Sequence, residues 1–422
     1  MFDVIIIGAG AAGLAVAREL AGHRIAILEA RDRIGGRIHT LHPADLALPI
    51  ELGAEFIHGD AEATFNVVDN AALLAYELPD DHWWSDDGAW KEIDFWEDLD
   101  RLFAKIGKRE QSFDAFLRTQ RVDARLRELA CGFVEGFHAA HANLIDARAV
   151  EALDDMHQYR IASGYDSLIA WLRAGVADLH ALRLGTTVSE IRWKRGGVEV
   201  VTNKETLRAR AAIITVPLGV LKAGSIRFTP ELKEKQHAID RLEVGHVVKI
   251  VFRFREPFWK PHINFVHSID RFMPTWWTCA PARAPLLTGW CGGHAADALA
   301  AESDPVDRAL DSMARIFGTR RSTIDRLLIG TFTHDWQHDP FSRGAYSYSG
   351  VGGIDAQKEL AKPLQSTLFF AGEATNGEQT GTVAGAIVSG QRAAKQVRRI
   401  ISPAHSPSAR RSPRGRPSSS SR

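Results

Sequence analysis

Cysteine is scarce in this chain: Cys131, Cys279 and Cys291 are the only three in 422 residues. Their number is odd and their spacing fits no metal-ligand pattern. That argues against a disulfide framework and for a reducing compartment. Long apolar runs are missing too. No stretch of about 18 apolar residues occurs, so no membrane-spanning helix is expected. The chain enters FDVIIIGAG at residue 2 with no basic segment or cleavage site before it, and the expectation is a cytoplasmic protein. Net charge is absent as well, since 52 Lys and Arg balance 52 Asp and Glu. The balance is uneven: five Arg and no acid lie after residue 401, leaving 47 bases against 52 acids before it. A mildly acidic body suits a cationic substrate. Five Arg in a tail are weak grounds for a nucleic-acid partner, and none is expected.

What remains is an ordinary globular composition, 45% hydrophobic and 25% charged, at a length for two to three domain-sized units of about 100–200 residues each. Phe2 to Ile7 reads as a short buried parallel strand. A glycine turn follows, then a helix from about Ala11 to Ala21, then a second strand from Ile25 to Leu28. This is a βαβ unit. Residues 60–180 are helix-rich. Strand patterns return at 186–216, where TTVSEIRWKRGGVEVVT turns at a Gly-Gly pair, and at 244–254 and 263–291. LFFAGEAT reads as another buried strand, and GTVAGAIVSGQRAAKQVRRI as a final helix. The Ser/Pro/Arg-rich stretch 402–422 reads as a disordered tail.

Gly8, Gly10 and Gly13 form G-x-G-x-x-G between the first strand and the first helix. Gly8 makes the tight turn, Gly10 lets backbone approach a pyrophosphate, and Gly13 lets helix pack on strand. The helix N-terminus offers free N–H groups and a positive dipole end. Glu29 follows the second strand where an acid binds ribose hydroxyls, about 20 residues on. Past it, LEARDRIGGRIHT places Gly35, Gly36 and Arg37. Two glycines again permit close backbone approach, and Arg37 can meet a pyrophosphate as a bidentate donor.

From this point the chain resembles the flavin-containing amine oxidases: monoamine oxidases, polyamine oxidases and the histone lysine demethylases of the same fold. The resemblance runs in order through E-A-x-x-x-x-G-G-R, ELGAEFIHG (51–59), VGHVVKIVFRFREPFW (244–259), DWQHDPFSRGAYSYSG (335–350) and LFFAGEATNGEQTGTVAGAIVSGQRAA (368–394). It covers nearly all of residues 1–401. It implies a non-covalently held FAD with Arg31 beside the adenine and Gly36 and Arg37 near the phosphates. Gly53, Ala54, Glu55 and Val188 would lie along the cofactor, and Trp336 against the ring's dimethylbenzene edge. Gly372 and Glu373 would lie near the phosphates and ribityl chain. Thr382 and Val383 would present N–H groups to the ring at the start of the last helix. Gly385 and Gly390 have a simpler reading as small residues for helix packing.

The fold expected is α/β with α+β insertions: a discontinuous Rossmann-like FAD-binding domain and a mixed sheet-and-helix substrate domain. Residues 1–75, 182–225 and 341–401 are assigned to the first. Residues 76–181 (helical) and 226–340 (sheet) are assigned to the second.

Three residues are candidates for the chemistry. Strand alternation sets Lys249 with Val251 and Arg253 on one face, which by itself reads as a solvent face. The resemblance instead points Lys249 at flavin N5 through a water. Tyr346 matches an aromatic that flanks the substrate amine, with a core tyrosine as the plain alternative. The second aromatic of the family's cage is replaced by Thr382, as in the polyamine- and histone-directed branches. Ala345 stands where monoamine oxidases carry the cysteine that binds flavin. His58 matches a histidine of animal-type polyamine oxidases and would hold one polyamine nitrogen. A histidine bonded to backbone is the rival reading. DDHWWSDDGAWKEIDFWEDLD, with Trp83, Trp84, Trp90 and Trp96, reads first as a hairpin turning at Asp-Gly, and second as an acidic aromatic rim. Glu135 and His138 are weaker candidates for the same cleft.

The function expected is FAD-dependent oxidation of an amine, a polyamine above others, with hydride transfer to flavin N5 and O2 reduced to hydrogen peroxide. Alternatives are a monoamine oxidase, or a desaturase or protoporphyrinogen-type oxidase on the same fold. These last leave Lys249 and GAYSY without a reason. An L-amino-acid oxidase is disfavoured because GAEFIH replaces that branch's G-A-M-R-x-P. A chromatin-directed role is disfavoured by the lack of the demethylases' long helical insertion.

Overall fold

The computed structural model describes residues 1–92, 96–150, 157–176 and 181–401. The expected disordered tail, 402–422, lies outside them.

Two large sheets organise the chain. The first has eight strands in the order Leu182–Arg183, Ile25–Leu28, Phe2–Ile7, Thr206–Ile214, Gly197–Thr202, Val188–Lys194 and Arg227–Thr229, with Leu368–Phe370 also paired to Thr206–Ile214. The pairs around Phe2–Ile7 are parallel, and its last four residues are buried. That explains the uninterrupted apolar run. One face is covered by the opening helix Ala11–Glu19 and the closing helix Val383–Ile401. A Cβ at Gly390 would stand 2.4 Å from the Ala12 carbonyl oxygen, so this glycine serves the close approach of the two helices. The other face is covered by a second apolar cluster that includes Leu218, Ala238, Ile239 and Leu360.

The second sheet has seven strands in the order Leu328–Thr333, Val247–Phe254, Leu286–Gly292, Thr275–Thr278, Phe265–His267, His82–Asp86 and Ala89–Glu92. Its outer hairpin turns at Asp87 and Gly88, with φ of 44° and 86°. Positive φ at both central residues is the geometry Asp-Gly favours. The hairpin reading of the tryptophan-rich stretch therefore holds for its described part; residues 93–95 lie outside. Trp83 and Trp90 pack into the core of this sheet. A bundle of Trp96–Phe103, Phe113–Thr119 and Ala124–His138 forms a further core. The fold is the α/β architecture expected.

Two parts of the chain depart from the expected boundaries. Within 76–181, read as helical, His82–Asp86 and Ala89–Glu92 belong to the seven-stranded sheet. In the same segment, Leu168, Ile169 and Leu172 of helix Asp166–Ala174 pack into the core under the opening helix. Arg227–Thr229 extends the eight-stranded sheet past residue 225. Short polar strands and amphipathic helices do not reveal their partners through local periodicity.

Candidate active site

Between the two sheets lies a cavity of about 1350 Å³. That exceeds the roughly 300–1,000 Å³ of a small-molecule pocket and leaves room for a large cofactor beside a substrate. Its floor begins at the turn after Phe2–Ile7. Gly8 has φ of +111°, and a Cβ at Gly13 would stand 2.0 Å from the Gly8 carbonyl oxygen. No side chain can be added there without parting helix from strand. Gly10, by contrast, opens to the cavity, with no atom closer than 3.9 Å to its would-be Cβ. The opening helix has no side-chain cap at Gly10, so its first N–H groups are free for an anion. Glu29 is buried, and its carboxylate accepts from Ala9 N at 2.8 Å and Arg31 N at 2.9 Å.

The same wall continues through contacts between distant segments. Arg31 donates to Asp339 at 2.7 Å and Ser342 at 2.9 Å. Arg37 donates to Glu373 at 2.9 Å and to the Ala345 carbonyl. Glu373 in turn accepts from the Ser347 hydroxyl at 2.6 Å. Gly372, with φ of +129°, has nothing within 4 Å of a would-be Cβ. Thr382 caps the closing helix, its hydroxyl accepting from Gly385 N at 2.9 Å. Trp336 is buried and donates its indole N–H to the Leu52 carbonyl at 3.0 Å. Gly36, Gly53, Ala54, Val188 and Val383 also line the cavity. Open backbone at Gly10 and Gly372, a free helix N-terminus and this volume fit a dinucleotide cofactor.

Lys249 occupies the opposite wall. Its side chain is 3% exposed, so the solvent-face reading from alternation fails. The second face of its strand is covered by Ile50, Leu52 and Leu286, which pack with Val251. The ammonium lies 2.6 Å from Glu55 and donates to the Gly53 carbonyl at 3.1 Å. Glu55 also accepts from Arg160 Nε at 2.9 Å and Trp277 Nε1 at 3.1 Å. Burial drives the Glu55 carboxyl up, yet the Lys249 and Arg160 cations hold it below the usual carboxylate range. Strand Gln158–Ile161 pairs antiparallel with Ile57–His58, which brings Arg160 to the segment that carries Glu55.

His58 faces the cavity space while protein encloses it, and burial pushes its imidazole down to about 4. Its ring meets Phe56 and Phe137 edge-on at 5.9 Å and 5.6 Å. No hydrogen bond to its ring occurs among the described residues. The backbone-bonded reading of its side chain therefore does not apply. Tyr346 donates to the Phe137 carbonyl at 2.7 Å, and burial pushes its hydroxyl above the ordinary range. His138 and Glu135 line the same cavity, as do Trp84 and Trp96, whereas Trp83 and Trp90 do not. Burial lowers His138 to about 4. Glu135 accepts from His294 at 2.5 Å.

Among the glycines, charged residues and aromatics expected from sequence to meet cofactor or substrate, Gly13 stands behind the cavity wall and Trp83 and Trp90 pack away from it, while the cofactor and catalytic candidates other than Gly13 line it. Arg160, Trp277 and His267 were not nominated. Their segments carry no motif, and only the pairing of distant strands brings them to the site.

The sequence model for flavin-containing amine oxidoreductases matches residues 11–96 and 87–398, and the chain belongs to that family. Polyamine oxidase 2 of Arabidopsis thaliana is 31% identical over 94% of this chain and 88% of its own. Lysine-specific histone demethylase 1 homolog 2 of the same plant is 30% identical over 94% of this chain, but over 58% of its own. Among solved structures, wild-type putrescine oxidase bound to putrescine superposes with a TM-score of 0.80 at 22% identity, over 94% of this chain and 98% of that one. Cyclohexylamine oxidase from Brevibacterium oxydans IH-35A gives 0.81 at 22% identity with the same coverage. The protein is an FAD-dependent amine oxidase. No helix among the described residues is long and apolar enough to cross a membrane.

Proposed function

We propose that this amine oxidase acts on polyamines, reduces O2 to hydrogen peroxide and holds FAD without a covalent bond. The observation that carries the substrate reading is His58, an imidazole kept neutral, without a hydrogen-bond partner among the described residues, between Phe56 and Phe137. A neutral ring nitrogen accepts from an ammonium remote from the reacting nitrogen. The flanking rings suit the methylene stretch and the cation at its end. Similarity to polyamine oxidases supports the same reading.

In this reading the eight-stranded sheet, including Arg227–Thr229, and the helices packed on it, including Asp166–Ala174, form the FAD-binding part, and the seven-stranded sheet with the helical bundle forms the substrate part. The Gly8–Gly10–Gly13 turn and the opening helix hold the pyrophosphate, with Arg37, Gly36, Gly372 and Glu373 beside it. Glu29 takes the ribose and Arg31 the adenine. Gly53, Ala54, Val188 and Trp336 bound the ring, and Thr382 and Val383 offer it backbone N–H groups. FAD, when bound, supplies the acceptor for the hydride that leaves the carbon beside the amine nitrogen. Tyr346 positions that nitrogen in its neutral form, so turnover rises with pH. Lys249 provides a fixed cation where negative charge develops during reduction of O2.

A peroxide-coupled screen over monoamines, diamines, free and acetylated polyamines and amino acids tests the substrate reading. The highest kcat/KM is expected on a polyamine. Benzylamine or phenylethylamine clearly outperforming spermidine and spermine would overturn it. Acid or heat is expected to release the flavin, and Glu29→Ala to weaken its retention.

A further inference from the structure

Lys249 is not a lone cation. An ammonium has three donors, and Lys249 directs one to Glu55 and one to the Gly53 carbonyl. The third is unassigned among the described residues, and the side chain borders the cavity. An isolated Lys–Glu pair would present no net charge to that cavity. Here Arg160 grips the other oxygen of Glu55, with Nε at 2.9 Å and Nη2 at 2.8 Å. Arg160 is itself anchored to the Thr278 and Ala280 carbonyls, at 2.9 Å and 3.3 Å. Two cations and one anion therefore share one buried cluster.

We propose that Glu55 is a positioning residue for the oxidase reaction. Balanced by Arg160 behind it, it keeps the Lys249 ammonium protonated and fixed, so that the cluster presents one net positive charge to the cavity. This rests on the reading of Lys249 as the cation that assists O2 reduction. The physical reason is desolvation. A lysine this deeply buried favours its neutral form unless an anion is in contact with it. With Glu55 gone, Arg160 adds repulsion to that penalty.

Other titratable groups surround the pair. Burial raises the Glu51 carboxyl, on the neighbouring strand Ile50–Glu51, to about 7. Burial pushes the Cys279 thiol up to about 11, and raises the Tyr76 hydroxyl. Cys279 and Tyr76 stay neutral near pH 7. Glu51 titrates there, so wild type and every variant are compared in the Glu51→Gln background.

Glu55→Gln keeps the shape and removes the charge. Two quantities are followed against pH in the holoenzyme: the rate constant for reoxidation by O2 and the visible absorption band of the resting oxidised flavin. Both should gain a transition absent from wild type. Reoxidation should fall about tenfold or more with rising pH, with a midpoint roughly 2–4 pH units below that of an ordinary lysine. The band should move with the same midpoint. The transition should vanish in Glu55→Gln/Lys249→Met, and Glu55→Asp should restore the wild-type profile. If Glu55→Gln does not fold because Arg160 is left unpaired, Glu55→Gln/Arg160→Met removes both charges and should show the same transition. Wild-type profiles in the Gln variants, or a transition that survives Lys249→Met, would overturn the proposal. Lys249→Met with unchanged reoxidation would instead sink the reading of Lys249 on which it rests.

Discussion

On the two sides of the cavity the site is built from different materials. Against the eight-stranded sheet it starts from backbone, a turn whose Gly13 stands against the Gly8 carbonyl, an uncapped helix end and the open Gly372, with the Arg31–Asp339 and Arg37–Glu373 pairs beside it. Against the seven-stranded sheet it is side chains held by other side chains, with Lys249, Glu55, Arg160 and Trp277 in one buried cluster. Where backbone packs on backbone, as at Gly13, local sterics admit no added atom, and where it lies open, as at Gly10 and Gly372, the space is left for a ligand. Side-chain sites rest on charge balance and tolerate a change of shape better than a change of charge. The two should therefore fail in different ways.

The largest effect is expected at Lys249. Lys249→Met keeps length and volume, and Glu55 keeps Arg160 as its partner, so fold and flavin content should survive. Reoxidation by O2, separated from anaerobic flavin reduction by rapid mixing, should slow by about 10²–10³, the loss typical of one preorganised electrostatic group. Gly13→Ala should do the reverse. Its Cβ would stand 2.0 Å from a backbone oxygen, and relief of such overpacking costs about 1–3 kcal/mol. Flavin retention and urea stability should drop, while the protein that keeps its flavin turns over normally. Lys249→Met protein without flavin, or fully flavinated and stable Gly13→Ala, would erase the contrast.

The same contrast decides what the sequence could tell. G-x-G-x-x-G, Glu29 and the closing-helix motif are legible because steric requirements act over a few residues. The cluster around Lys249 is not, because Glu55 meets partners 105 and 222 residues away along the chain. Alternation sent Lys249 to solvent because periodicity reports which residues share a face, not whether something covers it. Only the resemblance placed that face inside. His58 was visible as a histidine in EFIHG, but its neutral state depends on enclosure by Phe56 and Phe137, and Phe137 comes from another segment.

Acid should also separate the two sides. In the substrate chamber burial lowers His58 and His138 to about 4 and, with His82, His267 to about 3, from an ordinary 6.5. His39, away from the cavity wall, is lowered to about 4. Below about 6.5 the unfolded chain binds these protons and the folded one does not, so stability falls as pH drops from there toward 4. Glu51 opposes this: raised from 4.5 to about 7, it favours the folded state at the lower pH. Four imidazoles outweigh one carboxyl, and a net loss is expected. On the cofactor side burial would raise Asp339, but bonds from His334 and Arg31 hold it below its ordinary 3.8. Its contribution is present above 3.8 and is lost only at lower pH. Urea midpoints should decline between pH 6.5 and 4.5, and His138→Asn should flatten the slope. A slope unchanged by that substitution would move the acid sensitivity out of the chamber.

The smallest effect is expected at His58, and it is the most specific to substrate. His58→Ala removes one acceptor from a chamber otherwise lined by rings. A hydrogen bond to a charged group contributes about 1.5–3 kcal/mol, but this imidazole faces open cavity space, where water can replace it. KM for spermidine or spermine should therefore rise by only about 3–10-fold. The limiting rate of flavin reduction should hardly change, since the bond lies away from the reacting nitrogen. A monoamine has no second nitrogen to place there, so its KM should be unaffected. Because the imidazole is already neutral well above pH 4, the ratio of variant to wild-type KM should not vary between neutral and alkaline pH. Equal effects on monoamines and polyamines would make His58 a packing residue between Phe56 and Phe137, and would leave the chamber without its argument for a second ammonium.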